Sequence, residues 1–473
     1  MKTNNLFSNL SLLTLVLLWF LNPSNKLIVL FLVLLFLILL FKSKDLNSSL
    51  ITTFLVSSVI FVGKTHYFKL MDLDTRLFTD PEIRKLYPNG LTTAIAILPL
   101  HIVSIAMAYI LLRDIFLKKF LFKLNIIDII LLLFLVGSFA SSILVSKRIF
   151  LSLYDSLSIL PVFILHFFLK FYGKDKFVLV YSVITVLILF QGYVSVQQFI
   201  NSSPLGKNIE LEKTASIYGQ VVDESHFTFR PTGTLIHAND LAAFVAVFLP
   251  LIISALIVQY ERSAIAAFFS GMIILALSLS RSVWLGAIVS LLYFFNKVEH
   301  DLKINLFTKF RKAIILLLVV MLPLLVFIAP RLAKSASVLE PSGGLTLRIR
   351  QGTEVLELFK NSPLLGVGPR MSVMSALEKN KNSVFTTFPV AVHNFYLLTM
   401  VEKGLIGLFL FLAIIYLLLK DILLKIKKNS ILEKKIKLYG IFSGILILLI
   451  VAFFQPFFFF TETILLYHLA NKL

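Results

Sequence analysis

The chain has 473 residues, of which 58% are hydrophobic and 15% charged, and its mean hydropathy is +0.92. Ordinary soluble domains are less apolar and more highly charged, and disordered chains lack apolar residues to bury, so both classes are excluded. The formal net charge is +20 and cysteine is absent, which excludes disulfides, thiolate metal sites and a thiol nucleophile.

A helix crosses the ~30 Å hydrocarbon core with roughly 20 apolar residues. The apolar runs here are continuous and not alternating, which argues against a transmembrane β-barrel. They lie near 6–22, 27–41, 48–63, 92–112, 126–146, 152–169, 177–200, 238–259, 264–280, 282–295, 313–330, 392–419, 438–454 and 457–471. The pattern predicts an all-α polytopic membrane protein of about 12–14 transmembrane helices. The first run follows Lys2 and resembles a signal peptide, but no small-x-small cleavage site follows it, so it reads as an uncleaved span.

Short connections rich in Lys and Arg face the cytoplasm. Arg113, Lys118, Lys119 and Lys123 follow the fourth run. Lys297, Lys303, Lys309, Arg311 and Lys312 follow the tenth, and seven lysines from Lys420 to Lys437 follow the twelfth. All three connections fall on one side of a fourteen-span arrangement, so the positive charge reads as a topology signal and no nucleic-acid partner is expected. Three long loops, 64–91, 201–237 and 331–391, fall on the other, outer side. The expected organisation is an N-terminal transmembrane bundle over 1–200, a core over 201–420 with two of the long loops, and a basic inner loop with the last spans over 421–473. No inverted repeat of the transporter type is evident.

Polar residues crowd the outer ends of the spans. Asp72-Leu73-Asp74 could hold a divalent cation against a diphosphate, but a chance Asp-x-Asp in an exposed loop is far commoner. Arg230-Pro231-Thr232-Gly233 leads through His237 to Asn239-Asp240 at a span entrance. Two readings fit: a helix capped by Asn239 or Asp240, or an anion site built on a guanidinium. Arg281 sits at a tight tip between two spans, where it either snorkels to headgroups or meets a ligand. Leu345, Ile349, Val355, Leu356 and Phe359 have helical spacing and predict an amphipathic surface helix. Arg348 and Arg350 lie two apart on it and point to different faces, so only one aims inward. Gly366-x-Gly368 is no dinucleotide fingerprint, because the third glycine and the preceding strand are missing. His393 stands at the outer start of the long span that carries Glu402, Lys403 and Gly404. A lone His is usually structural, but a neutral His beside arginines has a lowered proton affinity and remains a base near neutral pH. His101 and His166 read as helix-packing residues, and His226 and His237 as second-rank candidates.

Four blocks, in order and on one side, carry a family resemblance. They are Arg230-Pro-Thr-Gly233-Thr-x-x-His237-x-Asn239; Ser280-Arg281-Ser-Val-Trp284-Leu-Gly286; Arg348 followed by Asn361-Ser-Pro363-Leu-Leu-Gly366-Val-Gly368-Pro369; and His393-Asn394-x-x-Leu397 with Glu402-x-Gly404-x-x-Gly407. Together they resemble the O-antigen ligase and O-antigen polymerase superfamily of bacterial membrane glycosyltransferases, over about 228–420. Ala238 stands where that family often has Pro, and the first 200 residues match only in hydropathy.

The resemblance implies a metal-independent, inverting glycosyltransferase of the GT-C type, without cofactor, in the bacterial cytoplasmic membrane. Its site would face the periplasm or cell exterior. Its donor would be a glycan on undecaprenyl diphosphate, and its acceptor a sugar hydroxyl of lipid A-core or another lipid-linked or polysaccharide chain. By motif, Arg230 and Arg348 would bind the diphosphate and His393 would deprotonate the acceptor. Arg281, Arg350, Arg370, His237, Asn239 and Asn394 complete the expected substrate-binding set. A repeat-unit polymerase would use the same residues on a different acceptor. A transporter or lipid-glycan flippase, or a structural member of an export complex, would place its polar residues differently or tolerate their loss.

Overall fold

The computed structural model describes residues 2–59, 67–69, 94–96, 99–119, 123–210, 229–258, 262–303, 344–380, 382–386 and 390–473. The first helices are α1 (Lys2–Leu21), α2 (Asn25–Ser43) and α3 (Leu46–Val59). A short antiparallel ribbon follows, β1 (Tyr67–Lys69) with β2 (Ala94–Ala96), in register Tyr67 to Ala96. Next come α4 (Pro99–Phe116), α5 (Ile126–Leu144), α6 (Ile149–Ser158), α7 (Leu160–Tyr172) and α8 (Phe177–Ile200). The second half has α9 (Ala238–Val258), α10 (Arg262–Ser278), α11 (Arg281–Leu302), α12 (Gly344–Asn361) and α13 (Ser372–Lys379). It closes with α14 (Phe395–Lys428), α15 (Leu432–Ala452) and α16 (Phe460–Ala470).

The protein is an all-α polytopic membrane protein. Among the described residues, 7 helical segments are long and apolar enough to cross a bilayer. Large apolar side chains also point outward along these helices, such as Phe41 at 84%, Phe116 at 81% and Phe409 at 70% exposed. In water such a surface would aggregate; in lipid it is the solvent-facing side.

The centre is α9, which is apolar all round and buried along almost its whole length. Its closest partner is α15, and the reason is local. A Cβ on Gly444 would fall 2.2 Å from the Val247 carbonyl oxygen, and one on Gly440 would fall 2.7 Å from that of Pro250. Small residues let two helix backbones approach where no hydrophobic force drives them together.

Three expected spans differ in detail. The fourth is helical over Pro99–Phe116, and Ala94–Ala96 is strand. The sixth is interrupted at Ile159, with Pro161 opening the second piece. The last is only 11 residues long, too short to cross by itself. The expected span at 313–330, Asp72-Leu73-Asp74, His226 and the basic residues 309–312 lie outside the described residues.

At one end of the bundle, His166 is buried and is a hydrogen-bonding core residue. Its Nε2 meets Asp128 Oδ1 at 2.7 Å and its Nδ1 meets His468 Nε2 at 3.0 Å. Lys170 also pairs with Asp128. This network ties α5, α7 and α16 together. The C-terminal ends of α8 and α10 meet the N-terminal ends of α9, α11 and α14 at the opposite end, where the sequence motifs lie.

Candidate functional site

Two glutamines of α8 build the turn before α9. Gln191 and Gln198 are seven residues apart and share a helix face. Gln198 Oε1 accepts the backbone N–H of Thr232 at 3.1 Å and of Gly233 at 2.9 Å, and its Nε2 donates to the Gly233 carbonyl at 2.9 Å. Gln191 Oε1 accepts the Thr234 N–H at 3.0 Å, and its Nε2 donates to Thr234 Oγ1 at 2.6 Å. Gly233 has φ +60, and a Cβ there would lie 2.1 Å from Gln191 Oε1, so the turn requires glycine.

The turn delivers Arg230, which is buried. Its Nε donates to the Ser278 carbonyl at 2.6 Å and its Nη2 to Asn239 Oδ1 at 2.6 Å. Those bonds fix the guanidinium plane between α9 and α10. Asn239 thus positions Arg230. The α9 N-terminus uses a different acceptor, since the Asn239 N–H donates to His237 Nδ1 at 3.1 Å. That bond needs the tautomer with Nδ1 unprotonated.

Arg281 opens α11 directly after a two-residue link, in which Leu279 has φ +51. The Trp284 indole donates to the Leu275 carbonyl at 2.7 Å and clamps the hairpin. On α12, Arg348 is half-buried and Arg350 exposed, as their spacing requires. The buried face of α12 runs through Gln351, Val355 and Leu358, while Ile349 and Leu356 are exposed. The apolar pattern alone puts that face out of phase. Gln351 is fully buried, with its Nε2 donating to the Val390 carbonyl at 2.9 Å, and a polar residue of this kind is invisible to a count of apolar positions.

The glycines after α12 explain a break in α14. Gly404 has φ +68 and ψ −171, which interrupts the helical hydrogen-bond ladder. Loop 362–370 enters the gap. Val367 and Gly368 donate their N–H groups to the carbonyls of Val401 at 2.9 Å and Glu402 at 3.0 Å. Leu405 N–H donates back to the Pro363 carbonyl at 2.8 Å. The backbones are so close that a Cβ on Gly404 would lie 2.0 Å from the Leu364 oxygen, and one on Gly366 would lie 2.4 Å from the Glu402 carbonyl carbon. Ser141 of α5 completes the junction, donating to the Leu365 carbonyl at 2.6 Å and to that of Glu402 at 3.0 Å. Irregular backbone at this depth is tolerated because it is buried in protein with its polar groups paired.

At the head of α14, Asn394 caps the helix, accepting the Leu397 N–H at 3.0 Å. His393 precedes it. Burial lowers its proton affinity first, then the charge of Arg348 and then His237, so its pKa falls from 6.5 to about 4. Arg348 is lowered by burial and by Arg281. Arg348, Arg281, His393 and His237 are therefore electrostatic neighbours. The cluster gathers like charge in a partly dry place, which an anion would relieve.

Residues 247–412 match the family model described as O-antigen ligase, roughly a third of the chain. That segment is similar to the O-antigen ligase family. A search of curated proteins gives no match. The O-antigen ligase segment contains Arg281, Arg348, Arg350, Arg370, His393 and Asn394, whereas Arg230, His237 and Asn239 precede it.

Not all expected residues join the cluster. Arg370 pairs with Asp155 at 2.8 Å and stacks over Tyr154 at 5.5 Å, beside α6. Arg350 lies on the exposed side of α12. Gln191, Gln198 and Ser141 were missed by sequence reasoning. Their polarity within apolar runs was the available signal, since a polar side chain inside a span needs a partner. Among the described residues, no group of three or more His, Asp or Glu could hold a metal ion.

Proposed function

We propose that this membrane protein of the O-antigen ligase and polymerase superfamily is an inverting, metal-independent GT-C type glycosyltransferase acting at the outer face of the bacterial cytoplasmic membrane. Its donor is a glycan on undecaprenyl diphosphate, and its acceptor is a sugar hydroxyl of lipid A-core or another surface polymer. The observation that carries this reading is the cluster of Arg348, Arg281 and His237 around a His393 held neutral.

The acceptor oxygen attacks the anomeric carbon from the face opposite the diphosphate, forming a new C–O bond as the old one breaks. Its proton passes to neutral His393. The electron pair leaves with the diphosphate, whose charge Arg348 and Arg230 neutralise. Arg230 arrives pre-oriented by Asn239 and the Ser278 carbonyl, so little reorganisation accompanies bond breaking. The prenyl tail remains in lipid and the glycan in water, which suits a site at the membrane mouth.

The test is transfer in nanodiscs from labelled undecaprenyl-diphosphate oligosaccharide. Wild type is expected to transfer with or without chelator. His393→Ala should insert normally and lose about 10²–10⁴-fold in rate, the usual contribution of a general base. Wild-type turnover by that variant would remove the role of His393, and loss of transfer with chelator would remove metal independence. Label appearing on lipid A-core marks a ligase; label lengthening a second lipid-linked unit marks a polymerase. Movement of intact donor across the bilayer without transfer would favour a flippase.

A further inference from the structure

A cavity lies beside α14. Phe395, Thr399, Glu402 and Lys403, at helical spacing, line this cavity of 510 Å³ together with Asp155 and Arg370. The volume lies in the ~300–1,000 Å³ range of small-molecule sites. None of Arg348, Arg281, His237 and His393 lines the cavity. Val390 and Ala391, just before His393, and Phe395, just after it, all face the cavity.

The formal charges in this chamber balance. Arg370 pairs with Asp155 at 2.8 Å. Glu402 accepts from the Ser372 hydroxyl at 2.7 Å. Lys403 holds its ammonium 4.9 Å from the centre of the Phe134 ring. Glu402 is 7% and Lys403 8% exposed, so two ionisable side chains are buried where the helix is broken. Burying such groups inside a membrane is costly, and they mark a functional site by default. Phe457 and Phe458 from the α15–α16 link and Phe460 at the start of α16 add an aromatic part to the wall. A diphosphate suits the neighbouring guanidinium groups of Arg348 and Arg281 better than this balanced chamber. A prenyl tail has no use for buried carboxylates. A neutral sugar meets both features: its hydroxyls donate to carboxyl oxygens, and its C–H faces lie on aromatic rings.

We propose that this cavity seats the terminal neutral sugar of the acceptor, with its hydroxyl directed to His393 from the side opposite the Arg348 cluster. The assignment rests on the transferase reading, because it names where that reaction's second substrate sits. Glu402 and Asp155 accept hydrogen bonds from the sugar's hydroxyls. His393 is flanked in sequence by the cavity residues Ala391 and Phe395, so the acceptor meets the anomeric carbon only when donor and acceptor are both bound.

The experiment measures binding apart from turnover. Neutral oligosaccharide, released by mild acid from the surface glycan of the producing cells, is observed by saturation-transfer NMR with the full-length protein in nanodiscs. Glu402→Gln keeps shape and the Ser372 bond, and Thr399→Phe fills the cavity. Both are expected to lower the oligosaccharide signal at least fivefold and raise the acceptor KM at least tenfold, with donor Kd unchanged. Arg348→Ala should do the reverse, weakening donor binding and leaving the oligosaccharide signal intact. Unchanged oligosaccharide binding in folded Glu402→Gln, or no signal with wild type, overturns the assignment. Weakened donor binding in Thr399→Phe also overturns it, by placing the prenyl tail in the chamber. Oligosaccharide binding that depends on Glu402 in a protein that transfers nothing would sink the transferase reading and leave the sugar site standing.

Discussion

His393 shows how position sets chemistry at the scale of one residue. Its pKa of about 4 in the folded protein lies below the 6.5 of an exposed imidazole. The unfolded chain therefore binds the proton more tightly, and the stability owed to neutral His393 is present above pH 6.5 and lost as pH falls toward 4. The same shift keeps the base unprotonated under mildly acid conditions. The kcat/KM of transfer is expected to hold from pH 7 down to about 5, with an acid limb near 4. A limb near 6.5 would mean that another group, or a solvated His393, sets the profile. Residual activity of Arg348→Ala should show a limb moved upward, because a like charge beside the imidazole is gone. The sequence placed His393 beside arginines as a candidate base. Its burial, the largest cause of the shift, comes from α12 packing against α14, which no local pattern contains.

At the scale of elements, the glycine pairs and the polar residues of spans become one device. Gly404 breaks α14, and loop 362–370 fills the break with its own backbone bonds. Gly404→Ala would put a Cβ 2.0 Å from the Leu364 oxygen in a left-handed conformation. It should cost on the order of 3 kcal/mol, combining backbone strain and overpacking. Thermal unfolding in detergent would record this as a lowered midpoint, and an unchanged midpoint would contradict the junction. Gln198→Leu should leave the Thr232 and Gly233 N–H groups and the Gly233 carbonyl without their partner. The cost is about 1–3 kcal/mol for each buried group left unpaired. Because that turn aims Arg230, donor affinity should fall while insertion persists; tight donor binding by Gln198→Leu would separate the turn from the site.

The whole molecule raises the question of sidedness. Basic connections 113–123, 296–312 and 420–437 argue for one face as cytoplasmic, and the motif residues gather at the other end. The natural absence of cysteine permits a direct test. Asn380→Cys, after α13, and Ser430→Cys, between α14 and α15, are both at exposed positions near opposite ends. A membrane-impermeant maleimide added to intact spheroplasts should label the first and not the second. The opposite labelling would invert the topology and remove access from lipid-linked donors at the outer face.

Composition and the length of apolar runs determined by themselves that this chain is an all-α membrane protein, because the bilayer admits few alternatives to continuous apolar helices. The order of the four motif blocks was equally legible, since motifs are local in sequence. Only the tertiary structure decided which arginines share an electrostatic neighbourhood with His393, and that Asn239 and Asn394 serve the backbone and Arg230. It also decided that Arg370 turns to Asp155 and that Glu402 and Lys403 line a chamber of their own. Several of those outcomes join residues far apart in the chain, such as Asp155 and Arg370, 215 positions from each other. Burial and charge coupling are properties of such meetings, and periodicity along the chain does not encode them.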